Sequence, residues 1–237
     1  MAAAPPGSQT TRLQRYWREW RGFVLFIIIM LLFRSAIADW NQVPTGSMIP
    51  SILEGDRIVV DKLAYDLRVP FTMVRVARWA SPERSDIVTF ESPTDSKLLV
   101  KRVIGVPGDE VMLDHNRLTI NGEQASYTVI PPTHLTGPLR ASSPHILIAS
   151  ETLLGKTRTV MTHRLRRSNT PSSFGPIEVP SDHYLVLGDN RDNSQDFRVI
   201  GFVHRDRILG KANTIAFSLD YENYYLPRGD RFFHDLL

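Results

Sequence analysis

The chain has no cysteine, which removes disulfide frameworks, thiolate zinc sites and cysteine nucleophiles from consideration. Lysine is scarce as well: the 28 basic residues include only five lysines. There is no internal repeat or low-complexity tract, no Gly-x-Ser-x-Gly elbow, no His-Glu-x-x-His, no phosphate loop and no Gly-x-Gly-x-x-Gly. The seven histidines are scattered through loop-like sequence, and nothing in their spacing points to a Ser-His-Asp triad or a metal site. Long apolar runs are also lacking, apart from one, so a polytopic membrane protein is excluded. What remains, 42% hydrophobic and 22% charged over 237 residues, is an ordinary globular composition for one domain, or for a core domain carrying a large insertion.

The formal charge of +3 is carried by the first 22 residues, where Arg12, Arg15, Arg18 and Arg21 face Glu19 alone. The rest of the chain is neutral, so a nucleic-acid partner is not expected. This basic end abuts Phe23 to Phe33, eleven apolar residues without a break. Eleven fall short of the about 17 to 25 needed to cross a hydrocarbon core. Extension to Ala38 reaches that length if Arg34 snorkels, with Tyr16, Trp17, Trp20 and Trp40 as interfacial aromatics. The arginines then place the N-terminus in the cytoplasm. Ala36-Ile37-Ala38 also suits a cleavable secretory signal, although Arg34 is more ordinary at the end of an anchor. On either reading everything after residue 40 is exported.

Beyond residue 40 the pattern is β. Arg57 to Val60, Asp86 to Phe90, Leu98 to Ile104 and Tyr184 to Leu187 read as strands, punctuated by Gly-Asp pairs and prolines. Val111 to Ile120, running into Asn121-Gly122, predicts a hairpin. Pro131-Pro132 and Ser168 to Ser173 predict loops, and Arg164, Arg166 and Arg167 a solvated loop face. The change in texture over 109–182 suggests an insertion between two core strands.

Two places carry chemistry. Ser47 follows Gly46 and precedes Pro50, expected to start a helix; such a turn presents a hydroxyl beside free backbone N–H groups, as an oxyanion requires. Without a base it is an ordinary ST-turn or N-cap. Lys101 stands in an apolar strand, on one face with Leu99 and Val103. Burial would lower its pKa and let it deprotonate a serine, whereas an edge position would let it snorkel.

With these segments in hand, the chain resembles the bacterial type I signal peptidases, a Ser-Lys dyad family. Pro44-Thr45-Gly46-Ser47-Met48-x-Pro50 resembles the nucleophile box, and Gly55-Asp56 with Val59 to Lys62 the next box. Val100-Lys101-Arg102-Val103-Ile104-Gly105-x-Pro107-Gly108-Asp109 resembles the general-base box. Gly188-Asp189-Asn190-x-Asp192-Asn193-Ser194-x-Asp196-x-Arg198 resembles the last, with Gly201 just beyond.

The resemblance implies a Ser47 nucleophile, a Lys101 general base, a Ser194 hydroxyl orienting the lysine, and an oxyanion hole from the Ser47 N–H and the Thr45 hydroxyl. It implies Asp196–Arg198 as a structural ion pair, and small-residue pockets for which Val43, Met48, Leu99 and Val100 are candidates. Val199 and Ile200 stand where relatives commonly carry aromatics. The implied fold is mainly β: a cytoplasmic segment (1–21), a single transmembrane anchor (22–38), a catalytic core (39–108 and 183–237) and an inserted second β domain (109–182). The implied reaction is cleavage of signal peptides from exported preproteins after small residues, through an acyl-enzyme, at the outer face of the bacterial inner membrane. The implied partners are preprotein signal peptides, the lipid bilayer and the nearby secretion translocon; no metal or organic cofactor is implied. A dedicated pilin peptidase shares these features. A self-cleaving repressor would need a DNA-binding module, absent before Ser47, and a binding-only β domain would need a damaged dyad.

Overall fold

The computed structural model describes residues 12–236, except 73, 96, 132, 134–138, 140–143, 165–169 and 222; of residues 12–15 it describes the backbone alone. The loop expectations at Pro132, Arg166, Arg167 and Ser168, and His134, lie outside the described residues.

Helix α1 (Arg12–Ala36) leads into β1 (Ala38–Gln42). There follow β2 (Asp56–Asp61), β3 (Asp66–Arg68), β4 (Arg75–Arg78), β5 (Ile87–Glu91) and β6 (Leu98–Gly105). Next come β7 (Glu110–Asp114), β8 (Arg117–Ile120), β9 (Glu123–Gln124) and β10 (Ser126–Val129). Two eight-residue strands, β11 (Ile146–Leu153) and β12 (Lys156–His163), precede β13 (Phe174–Glu178) and β14 (His183–Leu187). A short helix α2 (Phe197–Ile200), β15 (Val203–His204), the long β16 (Ile208–Asp220), β17 (Leu226–Pro227) and β18 (His234–Asp235) complete the chain.

One antiparallel sheet runs β1-β2-β16-β5-β6-β14-β15, with β17 and β18 also on β16. Its strands follow the sequence pattern: in β2 the buried Asp56, Ile58 and Val60 alternate with half-exposed neighbours, as a one-sided strand requires. Ile87 to Phe90 of β5 and Lys101 to Gly105 of β6 are buried without alternation, because both faces of the sheet are covered there. Register shifts where β16 meets β2 and β5 bend its thirteen residues across four partners.

Strands β7 to β13 form two further sheets, β13-β7-β8-β9 and β10-β11-β12. The expected hairpin is two successive turns. His115 and Asn116 (φ 49° and 62°) join β7 to β8, and Asn121-Gly122 (φ 52° and 80°) joins β8 to β9. Paired positive φ matches the twist of adjacent strands, and Asn tolerates it. A common core of Ile104, Val111, Leu118, Ile120, Leu153 and Leu185 packs these sheets onto β6 and β14. At about 2 kcal/mol for each large side chain, that seam is a main source of stability.

The apolar side chains of α1 from Leu25 to Phe33 are exposed. No helix among the described residues is long and apolar enough to cross a membrane. The expected span at 22–38 also overruns the helix, which ends at Ala36, with β1 beginning at Ala38. Arg21 and Arg34 bound the apolar run inside the helix and keep it short. The end of α1 is stapled to the large sheet: Lys62 Nζ donates to Arg34 O (3.0 Å) and Ser35 O (3.3 Å), Lys62 N to Ile37 O (2.9 Å), and Phe71 N to Ser35 Oγ (2.7 Å).

Candidate active site

After β1 the chain turns back at Val43, whose N–H donates to Asp56 O, and winds into a single 3-10 turn, Gly46–Met48. A Cβ on Gly46 would fall 2.8 Å from Ile49 Cδ1 and 3.1 Å from Glu54 Oε1, the ends of two side chains that would have to give way. Ser47 is half-buried in this turn, and Thr45 before it is extended and exposed, its hydroxyl making no cap bond. Pro50 does not start a helix. It follows a cis Ile49–Pro50 bond in an irregular turn, and the local helical geometry lies before it.

Lys101 comes from the middle of β6, opposite Val88 of β5. It is 2% exposed. Its Nζ donates to Ser47 Oγ at 2.7 Å and to Val100 O at 2.9 Å, and it makes no ion pair among the described residues. Burial pushes its pKa down to about 8; the charges of Asp196 and Asp189 pull the other way and are outweighed. The strand position decided between the two readings left open by the sequence: β6 is central, so Lys101 cannot snorkel.

The third part is the loop after β14. A Cβ on Gly188 would fall 2.2 Å from Ser194 Oγ and 2.5 Å from Ser47 O, so the missing side chain is what brings Ser194 beside the nucleophile. The expected bond from Ser194 to the lysine is not formed: Ser194 Oγ is buried without a partner among the described residues, and Lys101 Nζ is taken by Ser47 and Val100. Asp196 and Arg198 form a two-bond ion pair (2.9 and 2.8 Å) with fully buried side chains. Asp196 also accepts from Gly188 N and from Arg198 N, the latter at the start of α2, which fixes the loop. Val199 is exposed; ring packing there comes from Phe197 and Phe202, with centroids 4.7 Å apart.

Several residues to which the sequence assigned no role hold this geometry. Asn190 donates from Nδ2 to Gly46 O (3.0 Å) and from its backbone to Ser47 O (3.1 Å). Arg102 grips Asp189 with two bonds, and Asp189 accepts from Ser51 Oγ at 2.6 Å. An arginine inside an apolar strand demands a buried partner, so Arg102 was a usable signal; the partner, 87 residues away, was not.

Of the pocket candidates, Val43 and Met48 are buried in one core cluster with Val100 packed against it, and Leu99 packs against another. The structure therefore keeps Leu99 apart from the other three. No group of residues suited to hold a metal occurs among the described residues.

A family model described as signal peptidase, peptidase S26, matches residues 17–217. Signal peptidase I of Pseudomonas fluorescens is 33% identical over 210 residues, covering 82% of this chain and 69% of that protein. Signal peptidase I of Rickettsia typhi is 34% identical over 219 residues, covering 85% and 80%. A crystal structure of a signal peptidase I from Enterococcus faecalis V583 is 28% identical, covers 56% of this chain and 97% of its own, and superposes with a TM-score of 0.34.

Proposed function

The chain belongs to the signal peptidase family, peptidase S26, and is a signal peptidase enzyme; from that premise we propose that it cuts exported preproteins with Ser47 as nucleophile and Lys101 as general base. The observation that carries this is the 2.7 Å contact between Ser47 Oγ and a lysine held in a dry, unpaired position. With a pKa near 8, about one lysine in ten is neutral at pH 7, some 300-fold more than at the ordinary value. In the neutral form the contact reverses: Ser47 Oγ–H donates to Nζ, and the proton moves there as Oγ attacks the scissile carbonyl. The Ser47 N–H and the free Thr45 hydroxyl stabilise the oxyanion. The lysinium protonates the leaving amine, and water then releases the acyl-enzyme. Ser194, buried beside the nucleophile loop, orients the lysine during turnover. Val100 contributes the accessible edge of a shallow small-residue pocket floored by Val43 and Met48, and Leu99 is not part of it.

The substrate side of the proposal is membranous. The exposed apolar face of α1 and the charge of +3 ahead of it support a single anchor with a cytoplasmic N-terminus, Arg21 and Arg34 snorkelling to opposite interfaces. The staple between α1 and Lys62 supports a catalytic core (39–108 and 183–237) held against the outer face of the bacterial inner membrane, near the translocon, with 109–182 as its insertion.

Cleavage of a purified preprotein in detergent by the full chain, beside Ser47→Ala and Lys101→Ala, tests the proposal. Mature product from the parent and losses of about 10⁴-fold or more in both folded variants are expected. The parent rate should rise with pH through a midpoint near 8. Retained activity in Lys101→Ala, or a rate still climbing near pH 10, about the reference lysine value, would overturn the mechanism.

A further inference from the structure

A cavity of about 540 Å³ lies against the nucleophile loop and is lined by none of Lys101, Leu99, Val100, Val43 or Met48. One wall, Ile49 and Leu53, comes from the loop that carries Ser47. The other, Leu139, Ile146 and Met161, comes from the segment between β10 and β13. Between them sits Asn190, 2% exposed, whose backbone and side chain both hold the nucleophile turn. Its amide orientation is settled, because Gly46 O can only accept and so faces Nδ2. That leaves Asn190 Oδ1 buried without a partner among the described residues, and His163 Nε2, on the same cavity, is in the same position. Unsatisfied buried polar atoms beside an apolar wall are what an extended peptide backbone requires of a groove.

A substrate must leave Ser47 in two directions. The pocket proposed for the signal-peptide half uses β6 and the buried side of the loop, next to Lys101. The remaining direction passes Gly46 and Asn190 into this cavity. Resting on the peptidase reading above, we infer that the cavity binds the first residues of the mature segment, the half that departs as the amine. Asn190 Oδ1 accepts a backbone N–H of that segment, and the apolar wall from the inserted sheets selects its side chains. Glu54 Oε1, 3.1 Å from where a Gly46 Cβ would stand, lies where the newly freed ammonium emerges. The inserted segment thereby makes the enzyme sensitive to sequence beyond the cut.

The test uses two matched peptide series, one varied before the cut and one varied after it, with the full chain in detergent. Leu139→Trp, which fills the cavity from the wall opposite the nucleophile loop, should lower kcat/KM by about tenfold for peptides with a bulky apolar residue just after the cut. Small residues there should be affected much less, and the ranking within the series varied before the cut should not change. Leu139→Ala, which enlarges the cavity, should move the bulky peptides in the opposite direction and covers the case in which the tryptophan variant does not fold. Equal effects across both series, or effects only before the cut, would overturn the inference. An inactive parent would instead strike at the peptidase reading, so the two failures are distinguishable.

Discussion

Two regions of this molecule bury charge to the same depth and treat it in opposite ways. Lys101 is 2% exposed with a hydroxyl and a carbonyl for company, and its charge is pushed off: burial holds its pKa near 8. Glu151 on β11 is fully buried among Arg158 (2.5 Å), Arg191 (2.8 Å) and the Tyr127 hydroxyl (2.7 Å). Burial alone would raise its pKa, but the two guanidiniums outweigh that and hold it down at about 2. Burial therefore does not decide whether a charge survives; the partner does. The paired centre ties the inserted sheets, through Arg191, to the loop that carries Asp189 and Asn190. The unpaired one is left free to move a proton.

The largest expected effect is on the paired side. Glu151→Gln keeps the shape but leaves two guanidiniums side by side, and should cost about 3–5 kcal/mol in denaturant unfolding. A cost under about 1 kcal/mol would remove the contrast, since that is no more than an ordinary hydrogen bond. The charged form is the folded form here, so Glu151 contributes its full stability above the ordinary carboxylate pKa of 4.5 and loses it as pH falls toward about 2.

The unpaired side should respond with the reverse sign. Lys101→Met removes a penalty that is fully present below pH 8, so stability at pH 7 should rise by about 3 kcal/mol while activity disappears. The unfolded chain holds the lysine proton up to about 10.5, so the folded parent recovers through pH 8 to 10.5 and the gain should fade over that window. A gain that persists unchanged at pH 10.5 would mean that packing, not charge, is responsible. The smallest effect belongs to an exposed pair, Lys97–Asp95 at 2.8 Å. Lys97→Ala should leave the thermal midpoint unmoved, and a measurable drop would show that pairing matters without burial.

Local patterns made part of this legible. Short apolar runs between turn signals marked β2, β5, β6 and β14, and a lysine within one such run marked Lys101 before any partner was known. The partners themselves were not legible. Glu151 and Arg191 are 40 residues apart, Arg102 and Asp189 are 87 apart, and no spacing rule connects them. Pro50 was misleading because its fixed φ suits a helix start as well as the irregular turn it occupies. Ser194 was only half-readable: its place beside Ser47 follows the motif, but its hydroxyl bond depends on a rotamer.

Gly188 shows how such a site can escape notice. Its backbone has no need of glycine for its torsion; what it needs is the absence of an atom, because any Cβ would strike both Ser194 and the carbonyl of Ser47. Alanine scanning, the usual survey of a protein's working parts, subtracts side chains nearly everywhere, but at Gly188 the same substitution adds an atom to a space that must stay empty. There the added methyl would stand 2.2 Å from one hydroxyl and 2.5 Å from one carbonyl, so the position reports on clearance where its neighbours report on contact.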